Sequence, residues 1–157
     1  MEEILKCSTL WDTKRNMILI SHRGNITGKQ LEDENVPGYI ERAVKLGYDV
    51  EIDVWFRDGF YLGHDKPTYK VDIEYLQNNK LWCHAKNIDA IVEMRKYSDI
   101  HYFWHQEDDM TITSEGYIWV YPGKQPVENS IAVKPKLNDD VSKCIGICSD
   151  FIKRYKI

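Results

Sequence analysis

The stretch that decides the fold is YDVEIDVWF, residues 48–56. In an extended strand, successive side chains point to opposite faces. One face of this stretch is therefore aliphatic, while the other carries two acids, Glu51 and Asp53. This alternation predicts a strand that buries its aliphatic face and presents two carboxylates on the other.

Strand-like and helix-like patterns alternate through the first two thirds of the chain. An apolar run at 17–21 is typical of a strand covered on both faces. Apolar residues at helical spacing predict a helix over 36–47, a short one over 71–78, and one over 88–97 that Asn87 can cap. Such alternation is typical of a parallel α/β sheet. Further segments expected to form strands are FYLGHD, LWCHAK, HYFWH, GYIWVY, SIAVKP and CIGICSD, with a terminal helix in FIKRYK.

The composition is that of an ordinary globular domain. The 157 residues are 43% hydrophobic and 29% charged, which fits one domain over residues 1–157. A formal net charge of −4 offers no basic excess for binding nucleic acid or an anionic membrane. The N-terminal stretch has two early glutamates and no long apolar segment, so we expect no signal peptide, no membrane insertion and a cytoplasmic location.

Titratable residues follow or end several of the predicted strands. Because the carboxyl ends of parallel strands meet at one edge of a sheet, these side chains are expected to face a common site. The residues are His22, Glu51, Asp53, His64, His84, Lys86 and Asp150.

The order and spacing of these residues resemble the glycerophosphodiester phosphodiesterase family, within the PLC-like phosphodiesterase superfamily. GICSDF, residues 146–151, is similar to the family's closing strand, but His84-Ala85-Lys86 stands where the family has a glutamate and a lysine separated by one residue. The other matching segments are His22-Arg23-Gly24, Asp33-Glu34-Asn35, Glu51-Ile52-Asp53-Val54, Asp58-Gly59 and His64-Asp65.

The resemblance implies a TIM-type (β/α) barrel. Because such barrels usually need about 250 residues, a chain of 157 residues predicts a shortened member of the family. We expect about seven strands, with helices trimmed from the second half. A reduced barrel exposes a sheet edge that a second copy of the chain can cover, which is the basis for expecting a homodimer.

The resemblance also implies metal-dependent hydrolysis of a small, glycerophosphodiester-like phosphodiester. A cation that binds the anionic oxygens of a diester lowers the barrier to attack. Glu51 and Asp53 share one strand face and can hold a hard divalent metal, Mg²⁺ or Ca²⁺ by the resemblance. With His84 as third ligand, the donor set shifts toward Mn²⁺, iron or Zn²⁺, unless His84 binds substrate instead.

His22 and His64 are the expected acid and base, because an imidazole exchanges protons efficiently near neutral pH. In the resembled family the attacking group is the substrate's own neighbouring hydroxyl, and water opens the cyclic phosphate that results. Arg23 and Lys86 are the expected ligands of the substrate phosphate.

Four nearby residues have two interpretations each. Glu34 and Asn35 match the family motif but also suit the start of a helix. Asp65 either orients His64 or ends a hairpin, and Asp150 either serves the site or caps the terminal helix.

Other residues are expected to be structural. The four cysteines include no C-x-x-C pair, so we expect reduced thiols. His101 and His105 have the spacing of zinc ligands on a helix, but on a strand they lie too far apart to share an ion. Most tryptophans are expected to pack in the core, with some forming a wall for the substrate's alcohol.

Two other functions remain open at this point. The chain can be a binding module that holds a phosphorylated ligand without turning it over, since the expected third metal carboxylate is replaced by His84. It also shares its two-histidine and acidic layout with enzymes similar to the spider-venom sphingomyelinase D group, which act on phospholipids.

Overall fold

A computed structural model describes residues 16–124 and 127–157. Over these residues the protein is a mixed α/β structure with a sheet of ten strands and few helices. The strands are β1 (Ile18–His22), β2 (Asp49–Phe56), β3 (Phe60–Leu62), β4 (Tyr69–Val71), β5 (Leu81–Ala85), β6 (Tyr102–Phe103), β7 (Met110–Ile112), β8 (Ile118–Val120), β9 (Ser130–Val133) and β10 (Gly146–Ser149).

Seven of the strands are parallel, in the order β6-β5-β2-β1-β10-β9-β8. β2 pairs with β1, β5 and, antiparallel, with β3. Residues 49–56 therefore form a strand, as predicted, and it has neighbours on both sides. β4 extends the sheet beyond β3, and β7 pairs antiparallel with β8. No backbone ladder joins β6 to β8 among the described residues, so the sheet is not closed.

The helices lie mainly in the first half of the chain. They are α1 (Pro37–Lys45), α2 (Ile73–Leu76) and α3 (Ile88–Met94). Asn87 accepts a hydrogen bond from the Ala90 amide, which confirms the predicted cap of α3. The predicted terminal helix is instead one 3₁₀ turn, Ile152–Tyr155. No helix of the described chain is both long and apolar enough to cross a bilayer.

The two faces of the sheet bury different side chains. The larger core, on the side of the helices, is mainly aliphatic and includes Val50, Ile52 and Val54 of β2. We call the opposite set the inner cluster: Ile20, Trp82, Phe103, Trp119, Ile131, Val133 and Cys148.

The inner cluster joins strands from opposite ends of the parallel order. The ring of Phe103 on β6 lies 4.7 Å from the ring of Trp119 on β8. The Ser114 amide also donates to the Tyr102 carbonyl oxygen at 2.8 Å. The sheet therefore curls until its two end strands share contacts, although no ladder connects them.

The cysteines that the structure describes are buried. Cys83, Cys144 and Cys148 are free thiols, and burial raises the pKa of Cys83 and Cys148 above the usual range. These thiols are therefore packing residues. Cys7 lies outside the described residues.

Candidate active site

A cavity of about 300 Å³ lies at the carboxyl ends of the parallel strands. The predicted catalytic, phosphate-binding and metal-binding residues that line it are His22, His64, Arg23, Lys86, Glu51 and His84. Asp53 is fully buried within contact distance of Arg23, His84 and Lys86. The predicted residues are thus brought together. The complete lining is His22, Arg23, Glu51, His64, His84, Lys86, His105, Gln106, Trp119, Tyr121, Pro122, Val133 and Lys134.

Glu51, Asp53 and His84 form a group that can hold a metal ion, with one ligand atom of each within 4.8 Å of the others. His84 Nδ1 lies 3.4 Å from Glu51 Oε1 and 3.6 Å from Asp53 Oδ1. β2 and β5 place them side by side, because Asp53 and His84 are register partners in the parallel ladder. Two carboxylates and an imidazole are a common donor set for divalent metals.

The orientation of the His84 ring is set by residues of β6 and the loop after it. Nε2 lies 2.7 Å from the backbone carbonyl oxygen of His105, and the ring stacks on Phe103 at 4.9 Å. Because a carbonyl oxygen can only accept, Nε2 carries a proton and Nδ1 is the atom that faces the two acids. Metal-binding histidines are commonly held in this way, with the other ring nitrogen donating to a carbonyl.

The two acids retain buried oxygens without a hydrogen-bond donor. Among the described residues, no donor reaches Glu51 Oε2 or Asp53 Oδ1, although Lys86 Nζ lies 3.6 Å from the latter. Burial favours a raised pKa for Glu51, but hydrogen bonding from His84 and the charges of His22 and Arg23 lower its pKa to about 2. An ionised, incompletely satisfied buried carboxylate is what a divalent cation would complete, so the residues fit a metal.

His22 is held by the last strand. Its Nδ1 lies 2.6 Å from Asp150 Oδ1, to which the Asn25 side-chain amide also donates at 2.8 Å. Despite burial, the hydrogen bonds from His22 and Asn25 and the charge of His22 lower the pKa of Asp150 to about 2. The ionised Asp150 therefore accepts from Nδ1, and Nε2 lies on the side of Glu51, 3.8 Å from its Oε2.

This geometry decides between the two interpretations of Asp150. The 3₁₀ turn that follows it has no side-chain cap, so the capping interpretation is wrong. Asp150 instead orients a predicted catalytic histidine.

His64 stands at the mouth of the cavity. Its Nδ1 lies 2.7 Å from Asp65 Oδ1, and this hydrogen bond lowers the pKa of Asp65. The preceding Gly63 has φ +148, and a Cβ there would lie 2.1 Å from the Lys66 carbonyl oxygen, so only glycine fits this turn. Asp65 thus orients His64, leaving Nε2 for a substrate, although the His64 side chain is 45% exposed.

Arg23 lies in a tight turn directly after β1. Its own φ of 56 and the φ of 94 at Gly24 turn the chain away from the sheet. The guanidinium pairs with Glu34 at 3.0 Å and with Asp53 at 2.8 Å. Burial opposes its charge, yet Asp53, Glu51 and Glu34 raise the pKa of Arg23. Arg23 therefore holds carboxylates in place as well as lining the cavity.

Glu34 and Asn35 belong to the site and do not cap α1. Asn35 donates to Asp53 Oδ2 and accepts from the Asp53 amide, both at 2.9 Å. The residue at the N-cap of α1 is Val36, which makes no side-chain cap bond. Asp53 is thus fixed from three directions by Arg23, Asn35 and Lys86.

Sequence reasoning missed much of the cavity wall from the second half of the chain. His105, Tyr121 and Lys134 lie one or two residues after the ends of β6, β8 and β9 and line the cavity. The expectation that side chains at the carboxyl ends of parallel strands face a common site applies equally to these three residues. Trp119 lines the cavity, whereas Trp55, Trp82 and Trp104 are not part of the lining.

His101 and His105, which the sequence analysis did not accept as a zinc pair, contact different partners. His101 Nε2 lies 2.7 Å from Thr113 Oγ1, and His105 Nε2 lies 2.6 Å from the Asp108 carbonyl oxygen. Neither histidine belongs to a metal-capable group among the described residues.

Comparisons with models of protein families, with curated proteins and with solved structures returned no match.

Proposed function

We propose that the protein is a metal-dependent phosphodiesterase of the glycerophosphodiester phosphodiesterase type, acting on a small phosphodiester. One observation carries the proposal: two oriented histidines, Glu51 and Lys86 line one cavity, and Asp53 is buried in contact with Lys86. Each of these groups has a task in the cleavage of a diester.

Glu51, Asp53 and His84 would hold the metal. When bound, a divalent cation would neutralise the anionic oxygens of the diester and polarise the phosphorus. Arg23 and Asn35 keep Asp53 in position, and the His105 carbonyl keeps His84 Nδ1 directed at the same point. Lys86 adds a cation on the side of Asp53 for a phosphate oxygen.

His22 and His64 would move the protons. With Nδ1 of each bonded to an aspartate, Nε2 is the atom left to exchange a proton with the substrate. One imidazole accepts the proton of the attacking hydroxyl, and the other donates a proton to the departing oxygen. His22 is buried and tightly held, whereas His64 is half exposed at the mouth of the cavity.

The sheet supports the proposal of a shortened TIM-type barrel. The seven parallel strands follow one another in space in chain order, and the last, β10, pairs with the first, β1. Only the step from β6 to β8 lacks a ladder within the described residues, and Phe103 and Trp119 bridge it. A barrel with one open seam has this order.

The test is the release of glycerol 3-phosphate from a panel of glycerophosphodiesters in the presence of Mg²⁺, Ca²⁺, Mn²⁺ or Zn²⁺. We expect metal-dependent release that His22→Ala lowers by about 10²–10⁴-fold, the usual contribution of a general acid or base. His101→Gln is the matched control, because His101 lies outside the cavity lining. Diester binding without turnover under any metal would make the protein a binding module instead.

A further inference from the structure

We infer that Lys134 recognises an anionic group on the alcohol moiety of the substrate. Resting on the proposed phosphodiesterase function, this inference defines the substrate class as diesters whose alcohol carries a negative charge. It starts from a residue that the proposed mechanism does not use.

Lys134 is held in an uncommon conformation at the end of β9. Its φ is 49, in the left-handed region that residues other than glycine seldom adopt. Its amide donates to the Cys148 carbonyl oxygen at 2.7 Å, which fixes the backbone against β10. Such strain persists where the surroundings enforce it, and it clusters at functional sites. The side chain leaving this position lines the cavity.

The two lysines of the cavity lie on opposite sides of His22 and Glu51. Lys86 is 3.6 Å from Asp53 Oδ1, beside the metal-capable group. Lys134 is 3.8 Å from Asp150 Oδ2, on the far side of His22. A diester with its phosphate between the metal-capable group and His22 can extend its alcohol toward Lys134.

The charge of Lys134 is available to a ligand. Its contact with Asp150 is longer than a hydrogen bond, and Asp150 already receives hydrogen bonds from His22 and Asn25. The Lys134 side chain is 43% exposed and lines the cavity. Trp119, Tyr121 and Pro122 line the cavity too. An ammonium in such a wall attracts a carboxylate or phosphate and repels a quaternary ammonium.

The test uses three glycerophosphodiesters of matched size: the esters of 4-hydroxybutyrate, butanol and choline, which are anionic, neutral and cationic in the alcohol. We expect the wild type to favour the anionic ester over the choline ester by about tenfold or more in Kd and in kcat/KM, as for a charge-assisted hydrogen bond. Lys134→Met should abolish this preference, and Lys134→Arg should retain it. Lys136→Met is the control, because Lys136 is exposed and does not line the cavity.

The outcomes separate this inference from the proposed function. Charge-selective binding without turnover upholds the role of Lys134 and overturns only the phosphodiesterase. Equal binding of the three esters by the wild type overturns the inference. The inference is also overturned if Lys134→Met weakens the binding of all three esters by the same factor. Lys134 would then contact the phosphate or support the fold. If none of the three esters binds, both the inference and the proposed function are overturned.

Discussion

The two halves of the chain contribute to the cavity in different ways. Residues 16–94 contain the three α-helices and supply both acids, three of the cavity's histidines, Arg23 and Lys86. Residues 95–124 and 127–157 contain no α-helix among the described residues. They supply an aromatic wall, Lys134 and a backbone carbonyl that orients His84.

The difference shows that the chemistry and the enclosure of this site are built separately. In the first half, the reactive side chains lie on strands or in the turns that follow them, and helices cover the outer face. In the second half, short strands are held by contacts inside the sheet, chiefly those of Trp119 with Phe103 and Trp82. Changes in the first half should therefore affect activity most, and changes in the second half should affect stability most.

The largest expected effect is on the first half. Glu51→Gln removes one charge from the metal-capable group while keeping its shape. We expect Mn²⁺ affinity, measured by calorimetry, to fall by about 100-fold or more and turnover to fall by about 10³-fold, because a metal contributes several kcal/mol to such reactions. Glu32→Gln, an exposed site, is the control. Wild-type Mn²⁺ affinity in Glu51→Gln would contradict the assigned ligand.

The next effect concerns the second half. Trp119→Ala empties the inner cluster at the point where β6 and β8 meet, and we expect a loss of about 3–5 kcal/mol in the free energy of unfolding. Urea denaturation measures it. Trp104→Ala, at a half-buried site outside the inner cluster, should cost less, and Trp119→Phe should restore much of the loss. Equal costs for the two alanine variants would show that the seam is not held by Trp119.

The smallest expected effect is on the pH dependence of stability, to which His101 in the second half and Glu51 in the first half contribute over different pH ranges. Burial lowers the pKa of His101 to about 4, so the folded protein resists a proton that the unfolded chain binds near pH 6.5. Stability should fall by about 3 kcal/mol as pH drops from 6.5 to 4. The pKa of Glu51, which burial would raise, is lowered to about 2 by His84, His22 and Arg23. Its contribution should be lost only between about pH 4.5 and 2.

Urea midpoints measured between pH 6.5 and 2 test whether His101 causes the loss of stability in the upper part of this range. Because glutamine does not titrate, His101→Gln should remove the loss of stability between pH 6.5 and 4. The loss between about pH 4.5 and 2, assigned to Glu51, should stay unchanged. An unaltered loss between pH 6.5 and 4 in this variant would show that another group causes it.

The sequence predicted most of the strands, although not β4 or β7, and it pointed to first-half side chains that the fold brings close together. Alternation in β2 and the Asn87 cap depend on neighbours within a few residues, so local patterns reveal them. Patterns were less reliable after the last strand, where a 3₁₀ turn replaces the expected helix. There the short segment packs Ile152 into the core, and tertiary contacts outweigh helical preference.

The sequence by itself determined which reactive groups exist and which strand ends carry them, because side-chain alternation is a local property. Only the tertiary structure decided their partners. Asp150 reaches His22 across 128 residues, and a backbone carbonyl at His105 fixes the tautomer of His84. Such contacts depend on how the sheet curls and on main-chain groups that every residue possesses, so no pattern of side chains along the chain specifies them.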